Sequence, residues 1–367
     1  MGQSDLAIQS VEIWPIDIPI TDPFVVATGA RVVAENVFIR VTLRGGARGY
    51  GEAAPFPEVG GENRPSCLNA LAQLAEAIIG KPADRFDAIA AMLKPIMPYQ
   101  PAARCGLEIA IIDALCRARQ LPMWRLWGEA DVRKRETDIT IPICAPEKTL
   151  ELARSWYGRG FRLFKMKVGK DVAQDIHRLE AVHKTLAGVA FIGDANQGYT
   201  REECLAFVRG VKGFGGTLAL LEQPVAREDL ASLSAIRKDA GIPVAADESV
   251  RSLTDAEAVV MNEAADYINI KIMKTGVAEA RSIADYALQH GLKLMIGGMV
   301  ETRVAMGCSF SLVLGMRGFD VLDLDTPLLL ANDPVTGGYR YDGPFLEPWT
   351  DSGLGLEANA AMSTLIQ

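Results

Sequence analysis

The chain of 367 residues is poor in the side chains that most often announce chemistry. Its histidines are His177, His183 and His290, and all fall in stretches patterned as helices rather than at strand ends. A histidine-based triad or a histidine-rich zinc site is therefore disfavoured. The cysteines Cys67, Cys105, Cys116, Cys144, Cys204 and Cys308 are scattered, with no CxxC pair. They read as small buried apolar residues in a reducing compartment, which places the protein in the cytoplasm. No apolar run reaches the roughly 18 residues of a membrane-spanning helix. The opening "MGQSDLAIQSVEIWPIDIPI" has no basic segment followed by an apolar core, so it does not read as a signal peptide. Met1-Gly2 with Asp5 nearby is a weak match to a myristoylation signal. No dense Lys/Arg block occurs and the net charge is −8, so nucleic acid and anionic membrane are poor partners. What remains is ordinary for a soluble protein: 49% hydrophobic and 23% charged residues, on a chain long enough for two domains.

The patterning divides the chain. Residues 1–130 read as a meander, "VEIWPIDIPI", "NVFIRVTLRG" and "ARGYGEAAP", followed by helices within "SCLNALAQLAEAIIG", "RFDAIAAMLKPI" and "ARCGLEIAIIDALCRARQ". That segregation is α+β. Residues 131–334 alternate. Strands are expected in "TDITIPIC", "FRLFKMKVG", "VAFIGDANQG", "LALLEQPV", "IPVAADES", "YINIKIMK", "LKLMIGGMVE" and "FDVLDLDTP", with helix-length segments between most of them. A repeat of roughly 25–30 residues is the size of a βα unit. Eight such strands indicate a closed barrel of the (β/α)8 type. A doubly wound sheet is the alternative, but its usual Gly-rich first turn is missing. The Pro- and Gly-rich residues from about 335 to 367 are expected to return to the first domain.

Chemistry in such a barrel lies at the C-terminal ends of the strands. Lys165 and Lys167 share one face of the second strand, because side chains alternate. Two like charges side by side each favour losing a proton, which suits a base. Lysines that guard an edge strand are the competing explanation. The later strand ends supply Asp194 and Asn196, Glu222, Asp247 and Glu248, Lys271 and Lys274, Glu301, and Asp323 and Asp325. A single acid at such a place often caps the next helix. Asp194, Glu222 and Asp247, however, end consecutive strands, and converging carboxylates repel unless a cation joins them. All-oxygen ligation favours Mg²⁺. Lysines on either side of that cluster form a device for removing and returning a proton next to a carboxylate, where a divalent cation stabilises the enediolate charge.

These residues resemble the enolase superfamily, in its muconate lactonizing enzyme-like subgroup. The resemblance is carried by the Lys-x-Lys of "FRLFKMKVG", Asp194, Glu222, Asp247 within "DES", Lys271 within "NIKIMKTG", and "GEAAPFP" at residues 51–57. It implies a (β/α)7β modified TIM barrel at 131–334 under an α+β N-terminal capping domain at 1–130, completed by about 335–367. It further implies that Asp194, Glu222 and Asp247 bind Mg²⁺ and that Lys167 and Lys271 are the acid/base catalysts. Lys165 would then lower the pKa of Lys167 and touch the substrate carboxylate. "LDLDTPLLL" resembles the dipeptide epimerases of that group, which implies that Asp323 and Asp325 hold the free α-ammonium of a dipeptide. Paired carboxylates suit a primary ammonium. Thr140, Gly298 and Val300 match pocket positions of the same group.

The reading is thus a Mg²⁺-dependent dipeptide epimerase, a small-molecule enzyme expected to assemble as a homo-oligomer. N-acylamino acid racemase, o-succinylbenzoate synthase and muconate cycloisomerase share the scaffold but have no use for an ammonium clamp. A non-catalytic ligand-binding barrel and a Schiff-base aldolase using Lys271 are the readings outside the class. In residues 21–36, "TDPFVVATGARVVAEN", a loop is expected to close over the substrate. Its uncharged stretch around Gly29, with Phe24, Val25, Val26 and Phe56, implies hydrophobic dipeptides. Arg31 is the one basic residue that a two-residue shift would bring into the pocket.

Overall fold

The computed structural model describes residues 3–128 and 132–359; Met1-Gly2 and the last residues of the C-terminal segment lie outside it. Three antiparallel strands begin the chain: β1 (Ile8–Val26), β2 (Gly29–Leu43) and β3 (Arg48–Ala53). Helices α1 (Arg64–Ile78), α2 (Phe86–Ile96) and α3 (Pro101–Ala118) pack behind them. Asn63 and Ser66 form a capping box at the start of α1. Helix α3 is buried from Pro101 to Cys116, which its run of Ala, Ile, Leu and Cys permits. Its first amides, at Ala102 and Ala103, donate to the Glu62 carboxylate. Strand β3 lies so close to α3 that a Cβ on Gly51 would stand 2.0 Å from the Gly106 carbonyl oxygen. Only glycine allows that approach.

The segment expected to be a loop at 21–36 is instead mostly β-hairpin. Strand β1 continues to Val26 and β2 starts at Gly29, with Phe24 paired to Arg31 and Val26 to Gly29. An irregularity between Pro19 and Phe24 bends the hairpin. The β-branched residues in "PFVV" and "RVV" favour paired strands once the two runs face each other. The Ile143 amide donates to the Val25 carbonyl at 2.9 Å, which ties the hairpin to the second half of the chain.

Eight parallel strands follow in sequence order: β4 (Ile139–Ile141), β5 (Leu163–Lys167), β6 (Ala190–Asp194), β7 (Thr217–Glu222), β8 (Val244–Ala246), β9 (Tyr267–Ile270), β10 (Lys293–Ile296) and β11 (Phe319–Leu322). Their two edges meet where the Asp138 amide donates to the Leu322 carbonyl at 3.0 Å. Beside it, the Asp325 carboxylate accepts from the Thr140 amide at 2.6 Å. Helices separate the strands, among them α4 (Val172–Thr185), capped by Asp171, and α5 (Arg201–Gly213), whose Thr200–Glu203 capping box matches its sequence signature. The last long barrel helix is α6 (Arg303–Gly315). Among the described residues no helix of that length follows β11, so the fold is the (β/α)7β barrel with an α+β cap. Strand β9 ends at Ile270, four residues short of the end of the expected "YINIKIMK" at Lys274. Residues Ile272–Thr275 form a helical turn, which swings the Lys274 ammonium back to the Asn269 carbonyl at 3.1 Å.

Glu52, fully buried on β3, joins cap to barrel. It accepts from Asn36 Nδ2 (2.7 Å), the Thr302 amide (3.0 Å) and hydroxyl (2.7 Å), and the Ala305 amide (3.2 Å) at the start of α6. Residues from Trp349 to Glu357 close the other side: Trp124 Nε1 donates to the Trp349 carbonyl and Arg117 pairs with Glu357. Leaving buried donors unsatisfied costs about 1–3 kcal/mol per group. Glu52→Ala should therefore lower the unfolding free energy by about 3 kcal/mol or more, and Glu52→Gln by less. Denaturant unfolding followed by tryptophan fluorescence measures both; an unchanged midpoint for the alanine variant would refute the pin.

Candidate active site

Strand register sets the charged residues beside one another. Thr140 pairs with Lys165, Lys167 with Asp194, and Asp194 with Glu222. All point to the barrel mouth and all are nearly or fully buried. Lys165 Nζ stands between three carboxylates, at 3.0 Å from Asp194, 2.8 Å from Glu222 and 2.7 Å from Asp323. Lys167 Nζ is 2.6 Å from Asp194 Oδ2. Lys271 and Lys274 both reach Asp247, at 2.6 and 2.7 Å, on its separate oxygens.

The expected mutual depression of the two β5 lysines fails for Lys165. Burial alone would strip its proton, but Asp194, Asp323 and Glu222 overcome that and hold it well above the usual lysine value. Lys271 is likewise raised: burial lowers it, but Asp247, Glu222 and Asp194 together outweigh that. Lys274 is the exception: burial holds it below the usual value. Among the acids, Asp194 and Asp247 stay low, because the lysines outweigh the burial that would raise them. Burial and then repulsion from Asp194 push Glu222 up to about 7. Burial pushes Glu248 and Glu301 each up to about 8.

Asp194, Glu222 and Asp247 divide their oxygens in one way. One oxygen of each is anchored: Asp194 Oδ1 by the Asn196 amide, Glu222 Oε1 by Asn269 Nδ2, Asp247 Oδ1 by Lys274. The other oxygen of each faces a lysine ammonium. The chemistry of that donor set, hard carboxylate oxygens each held on one side, fits a hard divalent cation, although among the described residues the three do not form a group with ligand oxygens all within 4.8 Å of one another. A tighter acid group lies beside it. Among the described residues, Asp138, Asp323 and Asp325 form the group whose ligand oxygens all lie within 4.8 Å of one another.

A small cavity opens above this floor. Thr140, Lys167, Asn196, Lys271, Gly298, Met299, Val300, Asp323 and Thr326 line it from the barrel, and Phe24, Val26, Phe56 and Val59 from the cap. Thus Thr140, Gly298, Val300, Asp323 and both candidate catalytic lysines border one space. Lys165, Asp194, Glu222, Asp247 and Asp325 do not line it. Phe24 stands over Lys167, 5.7 Å from its ring centroid to Nζ. Arg31 does not line the cavity. Its Nη2 meets Glu58 Oε2 at 2.9 Å and its guanidinium lies over the Phe56 ring at 4.6 Å. Asp138, Asn269 and Thr326 escaped the sequence reading. Period-2 alternation with Thr140 and Lys271 was the available signal for the first two; Thr326 carried none.

A (β/α)7β barrel with lysines and acids gathered at its mouth, under an α+β cap, defines an enolase-type architecture. The family model "Enolase C-terminal domain-like" matches residues 148–362, and "Mandelate racemase / muconate lactonizing enzyme, N-terminal domain" matches residues 8–128. The chain belongs to this mandelate racemase/muconate lactonizing enzyme family. It is 40% identical to the aromatic dipeptide epimerase of Herpetosiphon aurantiacus, over 93% of this chain and 96% of that one. A substrate-liganded L-Ala-D/L-Glu epimerase from Bacillus subtilis superposes with a TM-score of 0.93 at 32% identity, covering 96% of this chain and 99% of that one. The dipeptide epimerase of Enterococcus faecalis, in complex with Mg and L-Leu-L-Tyr, superposes at 0.92 with 30% identity, covering 96% and 99%.

Proposed function

We propose that the protein is a Mg²⁺-dependent dipeptide epimerase. It inverts the α-carbon of the C-terminal residue of an L,L-dipeptide and favours hydrophobic side chains. The observation that carries this reading is that Lys167 and Lys271 border the same cavity from β5 and from the end of β9, with Asp323 between barrel and cap in that cavity. One lysine takes the α-proton and the other returns a proton on the opposite face; the roles exchange in the reverse direction. Asp323 and Asp325 pair with the free α-ammonium, Lys165 with the substrate carboxylate, and Thr140, Gly298 and Val300 bound the backbone. Asp194, Glu222 and Asp247 would hold Mg²⁺, which supplies charge stabilisation as negative charge builds on the substrate carboxylate. Phe24, Val26, Phe56 and Val59 exclude water and receive the side chain, and Glu58 keeps Arg31 from presenting its charge there.

Within this reading, residues 1–130, completed by about 335–367, form the capping domain over a catalytic barrel at 131–334. The enzyme works in the cytoplasm as a homo-oligomer. Six unpaired cysteines support a reducing compartment, and no described helix is long and apolar enough to cross a membrane. An N-acylamino acid racemase has no ammonium for Asp323 to pair.

Lys167→Ala and Lys271→Ala should each lose epimerisation by about 10²–10⁴-fold or more, while one of them still exchanges the α-proton of a single stereoisomer in D₂O. Normal epimerisation without Lys271 contradicts the assignment. Dialysis against EDTA should abolish turnover and Mg²⁺ restore it; in titration calorimetry Asp194→Asn should lose Mg²⁺ binding. Burying an apolar side chain contributes about 1.5–3 kcal/mol, so kcat/KM for L-Ala-L-Phe should exceed that for L-Ala-L-Glu by about tenfold or more. A glutamate dipeptide that wins, and loses its advantage in Arg31→Ala, would show that Arg31 reaches the substrate.

A further inference from the structure

Asp138 is, with Glu248 and Glu301, a buried acid of the barrel that the mechanism leaves idle. It sits just before β4, on the face that Thr140 continues, and is 0% exposed. Its amide closes the barrel onto Leu322, but neither of its carboxylate oxygens has a hydrogen-bond partner. Its neighbours make this odd. An oxygen of Asp138 lies within 4.8 Å of oxygens of both Asp323 and Asp325. Asp323 Oδ2 has Lys165 at 2.7 Å. Asp325 Oδ2 is spent on the Thr140 amide, and Asp325 Oδ1 is buried without a partner.

Three carboxylates this close, with one lysine shared among them and with Asp194 and Glu222, cannot all ionise. A cation is already in place on Asp323, so the missing component on the Asp138 side is a proton. Asp138 is the member with no donor aimed at it, and hence the one for which ionisation costs most. Burial, then repulsion from Asp323 and Asp325, push its carboxyl well above the usual range, against the pull of Lys165.

We propose that Asp138 is a positioning residue that carries a proton, offers it to Asp325 Oδ1 after a small side-chain rotation, and thereby orients the Asp323/Asp325 pair toward a single primary ammonium. With Asp138 neutral, the Asp323/Asp325 pair keeps carboxylate oxygens in excess of the one shared ammonium of Lys165, which suits a single primary ammonium and offers a neutral amide no ionic partner. The identity of that ammonium, the free amino group of a dipeptide, rests on the epimerase reading; the proton on Asp138 does not.

Two measurements separate these points. Infrared spectra of the metal-free protein at neutral pH, wild type minus Asp138→Asn, should contain the carbonyl band of a protonated carboxylic acid. A difference showing only ionised carboxylate overturns the proposal, whatever the enzyme's substrate. In kinetics, Asp138→Ala should raise KM for a free dipeptide about tenfold or more, with little change for its N-acetyl derivative. Asp138→Asn keeps a neutral donor toward Asp325 and should recover most of that loss. If asparagine fares as badly as alanine, Asp138 acts as an anion and the proposal fails. If both substrates suffer equally, its role is structural and the proposal fails. If wild type turns over no dipeptide, the epimerase reading falls and the infrared band alone decides the protonation of Asp138.

Discussion

The structure turns on burying opposite charges in one water-poor place. Lys165 is the keystone: its ammonium lies within 3.0 Å of carboxylate oxygens from three different strand ends, Asp194, Glu222 and Asp323. An ion buried alone costs far more than the protein's net stability, so each charge here exists only because its partners do. Breaking such a pair from one side typically costs about 3–5 kcal/mol. The barrel mouth is therefore a single electrostatic unit. Where lysines suffice, the acids stay ionised, as at Asp194 and Asp247; where they do not, protons fill in, as burial does at Glu248 and Glu301.

That unit also explains why the cap must be fixed to the barrel. A charged floor open to water would lose the low dielectric that makes it useful. The hairpin of β1 and β2 brings Phe24 and Val26 over the floor, and Phe56 and Val59 complete the cover. Glu52 locks that cover to α6, while Asn36 Nδ2 also donates to the Val300 carbonyl at 2.9 Å, on the cavity wall. The same polar residues thus hold the two layers together and shape the space between them. Arg31 shows the converse: a charge beside an apolar pocket is tolerated because Glu58 answers it.

Much of this was legible along the chain. Alternation of strand and helix segments gave away the barrel, since each βα unit carries its own periodicity and its own caps. Lys167, Asp194, Glu222, Asp247 and Lys271 could be picked out because charged residues at the ends of apolar strands violate the local pattern. Gly298 and Val300, without charge, came only through resemblance, and their position on the cavity wall depends on how β10 ends.

Sequence by itself determined which residues face the barrel interior, because period-2 alternation is a local property of the backbone. Helix starts at Asn63, Asp171 and Thr200 are local as well, since each side chain accepts from an amide two or three residues on. Only tertiary structure decided which interior residues meet. Asp325 spends an oxygen on the Thr140 amide because barrel closure brings the first and last strands together across 185 residues. Lys165 is protonated rather than depleted because carboxylates from distant strands outnumber its neighbour on β5. Asp138 stands unsatisfied because that same closure sets it against Asp323 and Asp325. Contacts between segments far apart in sequence depend on register and closure, and no local pattern encodes those.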